Sequence, residues 1–325
     1  MKIKLLSLSL TLALMTNAFA SQTDVALALE SNQIPLAESH YSALTVDEKA
    51  SLGGKILYSR ILIAKDDTEE AYDLLEELRE DHLNNVDIEY YFGQSAIVMA
   101  QKASVFSKLG YASDFLEAME KAIALKPDHL EALEYLVGFH LGAPSIAGGD
   151  TDKALEYAQQ LKKYAPERGI TQLANVYWQT EQSEKAMQTM ADALSAFPEN
   201  SDMYISRASF YIQTKKWQQA RADLIQAVKY AKDDQQKSQS LYQQGKVSAE
   251  SGEETDLGIS ALMEAIPLAE GKFQPWVKYR LAQLHMQNKD LKKAKTYLAQ
   301  IDTNEDDDLK DKVKKLKKKL KKMKV

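Results

Sequence analysis

The chain has 325 residues, of which 45% are hydrophobic and 27% are charged, a composition that excludes an intrinsically disordered protein. It contains no cysteine, which excludes disulfides, thiol nucleophiles, thiolate metal sites and a lipid-modified cysteine anchor. The formal net charge of −6 is unevenly distributed, because Leu309–Val325 alone carries ten lysines and one aspartate.

Residues 1–20 are predicted to be a secretory signal peptide. Lys2 and Lys4 precede an apolar run, Leu5–Met15, and Ala18–Ala20 places small residues where a signal peptidase cleaves. A buried N-terminal helix or a membrane anchor is the alternative, but the run is short for a bilayer-spanning helix. We therefore expect an exported bacterial protein of the periplasm, soluble or peripherally associated with a membrane.

The next segment, residues 21–44, is weakly patterned and is predicted to be an N-terminal cap of short helices. Thr45 and Glu48 then have the spacing of a capping box, which predicts the start of a longer helix. Further along, a helix from about residue 86 to residue 108 is expected to end at Gly110.

Residues 45–302 repeat one helical hairpin. In its clearest copy, Ile170–Pro198, apolar residues recur every three or four positions, stop at Gln179–Ser183, resume and end at a proline. Ala186 and Ala220 are 34 residues apart, and the corresponding intervals elsewhere are 32 to 38. No alternating run of β-branched residues predicts a strand. The sequence therefore predicts an all-α solenoid of about six to seven hairpins.

The hairpins resemble the tetratricopeptide repeat (TPR) family. The resemblance rests on large and small residues nine positions apart, as in Tyr177 and Ala186, and it covers residues 48–301. It implies a right-handed superhelix whose concave face, lined by the first helix of each hairpin, holds peptides or partner proteins.

Some residues depart from the family pattern. Arg207 stands where a leucine is usual, Phe115 and Gly258 replace an alanine, and Lys232 replaces the closing proline. The sixth hairpin, which contains Gly258, therefore matches the family pattern more poorly than the fourth and fifth.

The same resemblance implies partner-binding residues on the concave face. The candidates are Arg168, Asn175, Trp178, Gln179, Ser209, Gln213, Trp276 and Tyr279. Amides beside aromatic rings suit an extended peptide, because amides bond to its main chain and rings cover its apolar side chains. The alternative is an ordinary solvated helix face.

An insertion interrupts the third hairpin. The run Gly142–Asp150 makes the turn five residues longer than in neighbouring hairpins, and it includes Pro144, Gly148, Gly149 and Asp150. It is similar to a Pro-x-x-Ala-Gly-Gly loop of exported bacterial tetratricopeptide proteins. Two interpretations are open: a longer turn with an ordinary helix cap, or a loop that contacts a partner.

Residues 303–325 are predicted to form a lysine-rich amphipathic helix. Its apolar residues are spaced four, three, four and three apart, and its other positions include Lys314, Lys315, Lys317, Lys318, Lys319, Lys321 and Lys322. The helix either caps the last hairpin or binds an anionic surface, such as anionic lipid or an acidic partner.

These patterns favour a non-catalytic scaffold of the cell envelope that binds a protein or peptide. The alternative function is a peripheral envelope-assembly factor that docks through its lysine-rich helix. The five histidines show no zinc-ligand spacing and no serine has a hydrolase motif, so we expect no enzymatic activity, cofactor or metal. Nucleic acid is not expected as a partner in the periplasm.

Overall fold

The computed structural model describes residues 20–269, 271–304 and 306–323, apart from the side chains of residues 105, 106 and 272. The predicted signal peptide therefore lies outside the described residues, except for Ala20. The chain divides into two compact units, Met1–Asp150 and Thr151–Val325. The described residues of both units are helices and connecting turns, without a strand, so the predicted all-α fold is confirmed.

In the described part of the first unit, eight α-helices follow one another. They are α1 (Gln22–Glu30), α2 (Ile34–Ala43), α3 (Val46–Ala50), α4 (Leu52–Lys65), α5 (Thr68–Asp81), α6 (Val86–Lys102), α7 (Val105–Leu125) and α8 (Leu130–Gly142). A short 3₁₀ helix, Ser145–Ala147, follows α8. The pairs α1–α2, α4–α5 and α6–α7 pack as hairpins.

The predicted capping box is present but caps a shorter helix than expected. The Thr45 hydroxyl accepts from the backbone N–H of Glu48, whose carboxylate accepts from the Thr45 N–H at 2.8 Å. The capped helix is α3, which ends at Ala50, and Ser51 then caps α4 through the N–H of Gly54 at 3.1 Å. The two helices α3 and α4 replace the single longer helix that the sequence predicts.

The prediction that Gly110 ends a helix is wrong. The break lies earlier, at Ala103 and Ser104, and Gly110 lies inside α7. Ser104 adopts an extended backbone before α7 and so begins the new helix. Gly110 is exposed and its position leaves open space, so the helix continues through it with only the usual loss of helix propensity.

The described part of the second unit contains ten α-helices. They are α9 (Thr151–Tyr164), α10 (Pro166–Gln179), α11 (Ser183–Ala196), α12 (Ser201–Gln213), α13 (Trp217–Lys229), α14 (Asp234–Ser251), α15 (Thr255–Ala265), α16 (Gln274–Gln287), α17 (Leu291–Ala299) and α18 (Asp307–Lys322). Two 3₁₀ turns, Ile266–Leu268 and Gly271–Phe273, lie between α15 and α16. The predicted hairpins α10–α11, α12–α13, α14–α15 and α16–α17 are all packed pairs.

The small residues of these hairpins are buried where two helices meet. Ala186 and Ala220 have no exposed surface, and the adjoining large residues form apolar clusters between successive helices. Such a hairpin buries its apolar face only when a neighbouring hairpin covers it, which is why successive hairpins within the second unit are stacked.

The sixth hairpin, α14–α15, forms like the others despite its unusual sequence. A Cβ atom on Gly258 would lie 2.5 Å from the Ser248 Cβ, and one on Gly245 would lie 2.3 Å from the Leu262 Cγ. The two glycines therefore allow a closer approach of the helices than alanine would. This contact explains why Gly258 replaces the usual alanine.

The terminal helix α18 packs against the last hairpin. Leu309, Val313, Leu316 and Leu320 are buried in one cluster with residues of α16 and α17, among them Leu298. Asp306 caps the helix, because its carboxylate accepts from the backbone N–H of Leu309 at 2.8 Å. Among the described helices, none is long and apolar enough to cross a membrane.

Candidate partner-binding surfaces

Trp178 joins the ends of two successive first helices, α10 and α12. Its ring stacks on Phe210, with centroids 4.5 Å apart and planes at 12°, and its Nε1–H donates to the Gln213 Oε1 at 2.8 Å. Phe210 is buried and Trp178 is half-buried, whereas the Gln213 side chain is exposed. The result is a fixed aromatic surface with an amide at its edge.

Further predicted residues lie beside this pair. The Gln179 Nε2–H donates to the Asn175 Oδ1 at 3.3 Å, and both residues are one turn or less from Trp178 on α10. Ser209 lies one turn before Gln213, and its hydroxyl donates to the Ile205 carbonyl at 3.0 Å. We call this surface the α10–α12 face; it comprises Asn175, Trp178, Gln179, Ser209 and Gln213.

Arg168 does not belong to the α10–α12 face. It is half-buried in the first turn of α10, ten residues before Trp178. At 1.5 Å per residue, this separation is about 15 Å along the helix. A ligand on the aromatic pair would have to extend along α10 to reach it.

Trp276 and Tyr279 lie against the terminal helix rather than near the α10–α12 face. The Trp276 Nε1–H donates to the Asp306 Oδ2 at 2.9 Å, and the Lys312 Nζ lies 5.0 Å from the centre of its ring. Tyr279 is only 7% exposed, in the cluster that α18 covers. These two aromatic residues hold α18 in place, and little of Tyr279 is left for a partner to contact.

The exposed side of α18 is a continuous basic surface. All seven predicted lysines are exposed, and we call them the lysine face: Lys314, Lys315, Lys317, Lys318, Lys319, Lys321 and Lys322. Among the described residues, no ion pair joins a carboxylate to any of these seven lysines. Asp307 and Asp308 pair instead with Lys310 and Lys312. The apolar residues of α18 are already buried, so its outer side offers charge and not an apolar stripe.

Sequence reasoning noted Arg207 as a departure but missed its partner. The Arg207 guanidinium donates from Nε and Nη2 to the two carboxylate oxygens of Asp223, at 2.8 and 2.7 Å. The side-chain hydrogen bonds to Asp223 raise the pKa of Arg207. Asp223 is 5% exposed. A charged residue at an apolar repeat position was the signal that a buried acid should lie nearby.

The insertion after α8 forms a compact turn. Gly148 has a φ of +95°, and a Cβ atom there would lie 2.6 Å from the Leu116 Cδ1. A Cβ atom on Gly149 would lie 1.8 Å from the Ala143 carbonyl oxygen. The His140 Nδ1–H donates to the Gly148 carbonyl at 2.9 Å, and the Asp150 N–H donates to the His140 carbonyl at 3.1 Å. Both glycines are therefore required by the backbone of the turn.

Two of the histidines lie in the core. His140 and His285 are buried, and the His285 ring stacks on Tyr297 with centroids 5.5 Å apart. Burial lowers the pKa of His285, although Asp290 opposes the shift. Among the described residues, no group of three or more histidine, aspartate and glutamate side chains is arranged to hold a metal ion.

Two segments of the chain match the family model of the tetratricopeptide repeat, residues 167–200 and 277–304. The first spans α10 and α11, and the second covers most of α16 and α17. These matches support the tetratricopeptide repeat family. They include the residues of the α10–α12 face that lie on α10.

Two solved structures to which the chain is similar are tetratricopeptide repeat proteins. A tetratricopeptide repeat protein from Parabacteroides merdae is 15% identical, covers 81% of this chain and 96% of its own, and has a TM-score of 0.54. A thermophilic tetratricopeptide repeat protein of Thermus thermophilus is 15% identical, covers 59% of this chain and 98% of its own, and has a TM-score of 0.47. The first of these shows a shared fold. No curated protein matches the chain significantly.

Proposed function

We propose that this protein is a non-catalytic scaffold of the bacterial cell envelope that binds a protein or peptide partner on the α10–α12 face. The observation that carries the proposal is the contact of Trp178 with Phe210 and Gln213, which fixes a half-buried indole between two helices. An indole held in this way offers a partner contact area without losing side-chain entropy on binding.

The amides around the indole support a peptide ligand. Gln179 and Gln213 are exposed at the last positions of α10 and α12. Each amide has donor and acceptor positions beyond the single hydrogen bond described for it, so it can pair with the main chain of an extended peptide. The ring of Trp178 then covers an apolar side chain of the same peptide.

Site-specific photo-crosslinking in intact cells tests the proposal. A photoreactive amino acid replaces Gln179 or Gln213 in the full chain, and the crosslinked proteins are identified by mass spectrometry. We expect both positions to yield the same partner, and Trp178→Ala to reduce that product at least tenfold. A position on the second helix of the hairpin, the exposed Gln188 of α11, is the matched control.

The control separates specific from nonspecific contact. Products that appear equally from Gln188, or products that persist in the Trp178→Ala protein, would contradict a partner on the α10–α12 face. Circular dichroism of Trp178→Ala establishes that the loss is not caused by unfolding.

The location in the envelope rests on the residues of the predicted signal peptide. The purified protein from a periplasmic extract should have the mass of residues 21–325, because cleavage is expected after Ala20. Replacement of Leu8 and Leu10 by arginine should keep the chain in the cytoplasm at its full length. A mature protein that retains residues 1–20 would contradict the export proposal.

The lysine face supports a second candidate, a peripheral assembly factor that docks on anionic lipid. The seven lysines are exposed and have no acidic partner among the described residues, and each is favoured near an anionic bilayer by about 1 kcal/mol at low salt. Since Leu309, Val313, Leu316 and Leu320 are packed inside, attachment would be electrostatic and reversible. An acidic protein partner is the other occupant of the same surface.

Flotation with vesicles tests this second candidate. The exported chain should float with vesicles of phosphatidylglycerol and phosphatidylcholine at low salt. It should be released at 0.5 M salt, where the Debye length is about 4 Å instead of about 30 Å at 0.01 M. Replacing the seven lysines by glutamine should abolish flotation without loss of helix content. Flotation that is unchanged in this variant, or that salt does not weaken, would argue against lipid docking.

A further inference from the structure

The first unit contains an apolar groove with a volume of about 670 Å³. It lies between α6, α7, α8 and the turn of the insertion. The side chains of Phe115, Tyr135 and Phe139 form its aromatic lining. Phe115 is buried, Phe139 is half-buried and Tyr135 is 39% exposed, so the aromatic lining continues from the core to the surface.

The aromatic lining is held in position by its own contacts. The Phe115 ring lies 4.8 Å from Phe139 and 6.3 Å from Tyr135, measured between centroids. The Tyr135 hydroxyl accepts a hydrogen bond from the Gln94 Nε2 at 3.2 Å. A ligand would therefore meet a formed surface rather than side chains that must first be ordered.

Two glycines on α8 keep the groove open. Gly138 and Gly142 both line it, are four residues apart on one helix face, and are exposed. A Cβ atom at either position would have no other atom within 4 Å, and neither has a positive φ. Packing and backbone geometry therefore do not require glycine here, although glycine weakens a helix. What the two glycines provide is close access to the backbone of α8.

The insertion forms one end of the groove. Pro144 and Ala147 line it, and the turn that carries them is closed by the Gly149 N–H donating to the Pro144 carbonyl at 3.2 Å. The contact of His140 with the Gly148 carbonyl fixes the other side of the turn. The five additional residues of the insertion therefore form an end of the groove that an ordinary hairpin turn would not form.

The charge of the first unit indicates the class of ligand. Residues 21–150 contain 23 acidic and 9 basic residues, a net charge of −14. Such a field attracts cationic ligands and repels fatty acids and anionic lipids. Glu131, Glu134 and Lys108 also line the groove, so acidic side chains outnumber basic ones in the lining itself.

We propose that this groove binds a peptide segment of a partner protein that carries one large apolar side chain flanked by lysine or arginine. The apolar side chain enters between Tyr135 and Phe139, and the peptide backbone lies over Gly138 and Gly142. The site goes beyond the proposed function, because it is formed by residues of the first unit, whereas the α10–α12 face is formed by residues of the second unit.

Selection from a random 12-residue peptide library on the exported chain, residues 21–325, tests the proposal. We expect enriched peptides to share an aromatic or large aliphatic residue with a basic residue within three positions. Fluorescence anisotropy then measures their affinity for variants. Gly138→Leu fills the groove and should weaken binding at least tenfold. Gly110→Leu is the matched control, since Gly110 is also an exposed helical glycine with open space and is outside the groove lining.

Several results would overturn the groove proposal. The selection could enrich no peptide, or it could enrich peptides that lack the apolar or the basic residue. The affinity of the peptides for Gly138→Leu could also stay within twofold of their affinity for the wild-type protein. Competition by dodecanoate would identify an acyl ligand instead. Binding that Trp178→Ala abolishes and Gly138→Leu does not would place the peptides on the α10–α12 face, which would overturn the groove and support the proposed function.

Discussion

Arg207 and Asp223 form a two-point ion pair that links α12 to α13 inside one hairpin. Both carboxylate oxygens accept from the guanidinium, and Asp223 is almost completely buried. The Arg207 guanidinium also lies 5.9 Å from the centre of the Tyr204 ring. The ion pair replaces the apolar contact that a leucine makes at this repeat position. The stability of the hairpin therefore depends on both Arg207 and Asp223 being present.

Restoring the usual leucine should therefore destabilise the protein. Arg207→Leu leaves the buried Asp223 carboxylate unpaired, and we expect the free energy of unfolding in urea to fall by about 3 kcal/mol. The double variant Arg207→Leu/Asp223→Leu should recover most of that loss, because two apolar side chains replace two charges. A double variant less stable than Arg207→Leu would show that the pair is not the source of the effect.

The terminal helix should stabilise the last hairpin through its apolar residues and not through its lysines. Leu309 has no exposed surface, so Leu309→Ala should lower the free energy of unfolding by about 3 kcal/mol. The matched control is Lys318→Ala on the exposed side, where we expect a change within about 0.5 kcal/mol. Urea denaturation followed by circular dichroism compares the two. A large effect of Lys318→Ala would indicate that the lysine face has a structural role.

His129 should make stability depend on pH. Its Nδ1 accepts from the Ala132 N–H at 3.3 Å as the cap of α8, and burial lowers the pKa of the imidazole, an effect that Glu131 and Asp87 oppose and Lys126 reinforces. Because the unfolded chain binds the proton more readily, with a pKa near 6.5, this stability is present above pH 6.5. It is lost as the pH falls through the lower pKa of the folded state, since protonated Nδ1 cannot accept.

Urea midpoints at pH 7.5 and 5.5 measure this dependence. The urea midpoint of the wild-type protein should be lower at pH 5.5 than at pH 7.5. His129→Asn keeps a capping side chain without a titrating group, so its midpoint should fall less. His285, whose pKa is also lowered by burial, accounts for a remaining part of the decrease. Equal decreases in the two proteins would exclude His129 as the source.

The sequence predicted the hairpins because their periodicity comes from burial. Ala186 and Ala220 are 34 residues apart and both are completely buried, so the repeat interval follows directly from the packing. The stripe of α18 was recognisable for the same reason. The sequence could not show what α18 packs against, because the apolar spacing of Leu309 and Leu316 is the same whether the helix packs on a hairpin or on a membrane.

The surface contacts could not be predicted from spacing. Trp178 and Gln213 are 35 residues apart, and their hydrogen bond depends on how two successive hairpins are rotated against each other. Trp276 and Tyr279 were assigned to the same predicted face, but α18 lies against them. A repeat pattern identifies which helix face is common to the hairpins, and it does not show where a later helix covers that face.

Glycine was the least predictable residue, and two substitutions test its roles. Gly110 lies in open space inside α7, so Gly110→Ala should raise the free energy of unfolding by about 0.5 to 1 kcal/mol. Gly245→Ala should lower it by about 1 to 3 kcal/mol, because the new Cβ atom would overlap the Leu262 side chain. Urea denaturation of both variants gives the sign of each change in the free energy of unfolding.

If Gly110→Ala were destabilising, Gly110 would be needed for a contact outside the described packing. If Gly245→Ala were neutral, α14 and α15 would be able to separate without loss of stability. Opposite signs for the same substitution in two helices would show that the close approach of α14 and α15, and not helix propensity, determines which glycine the fold requires.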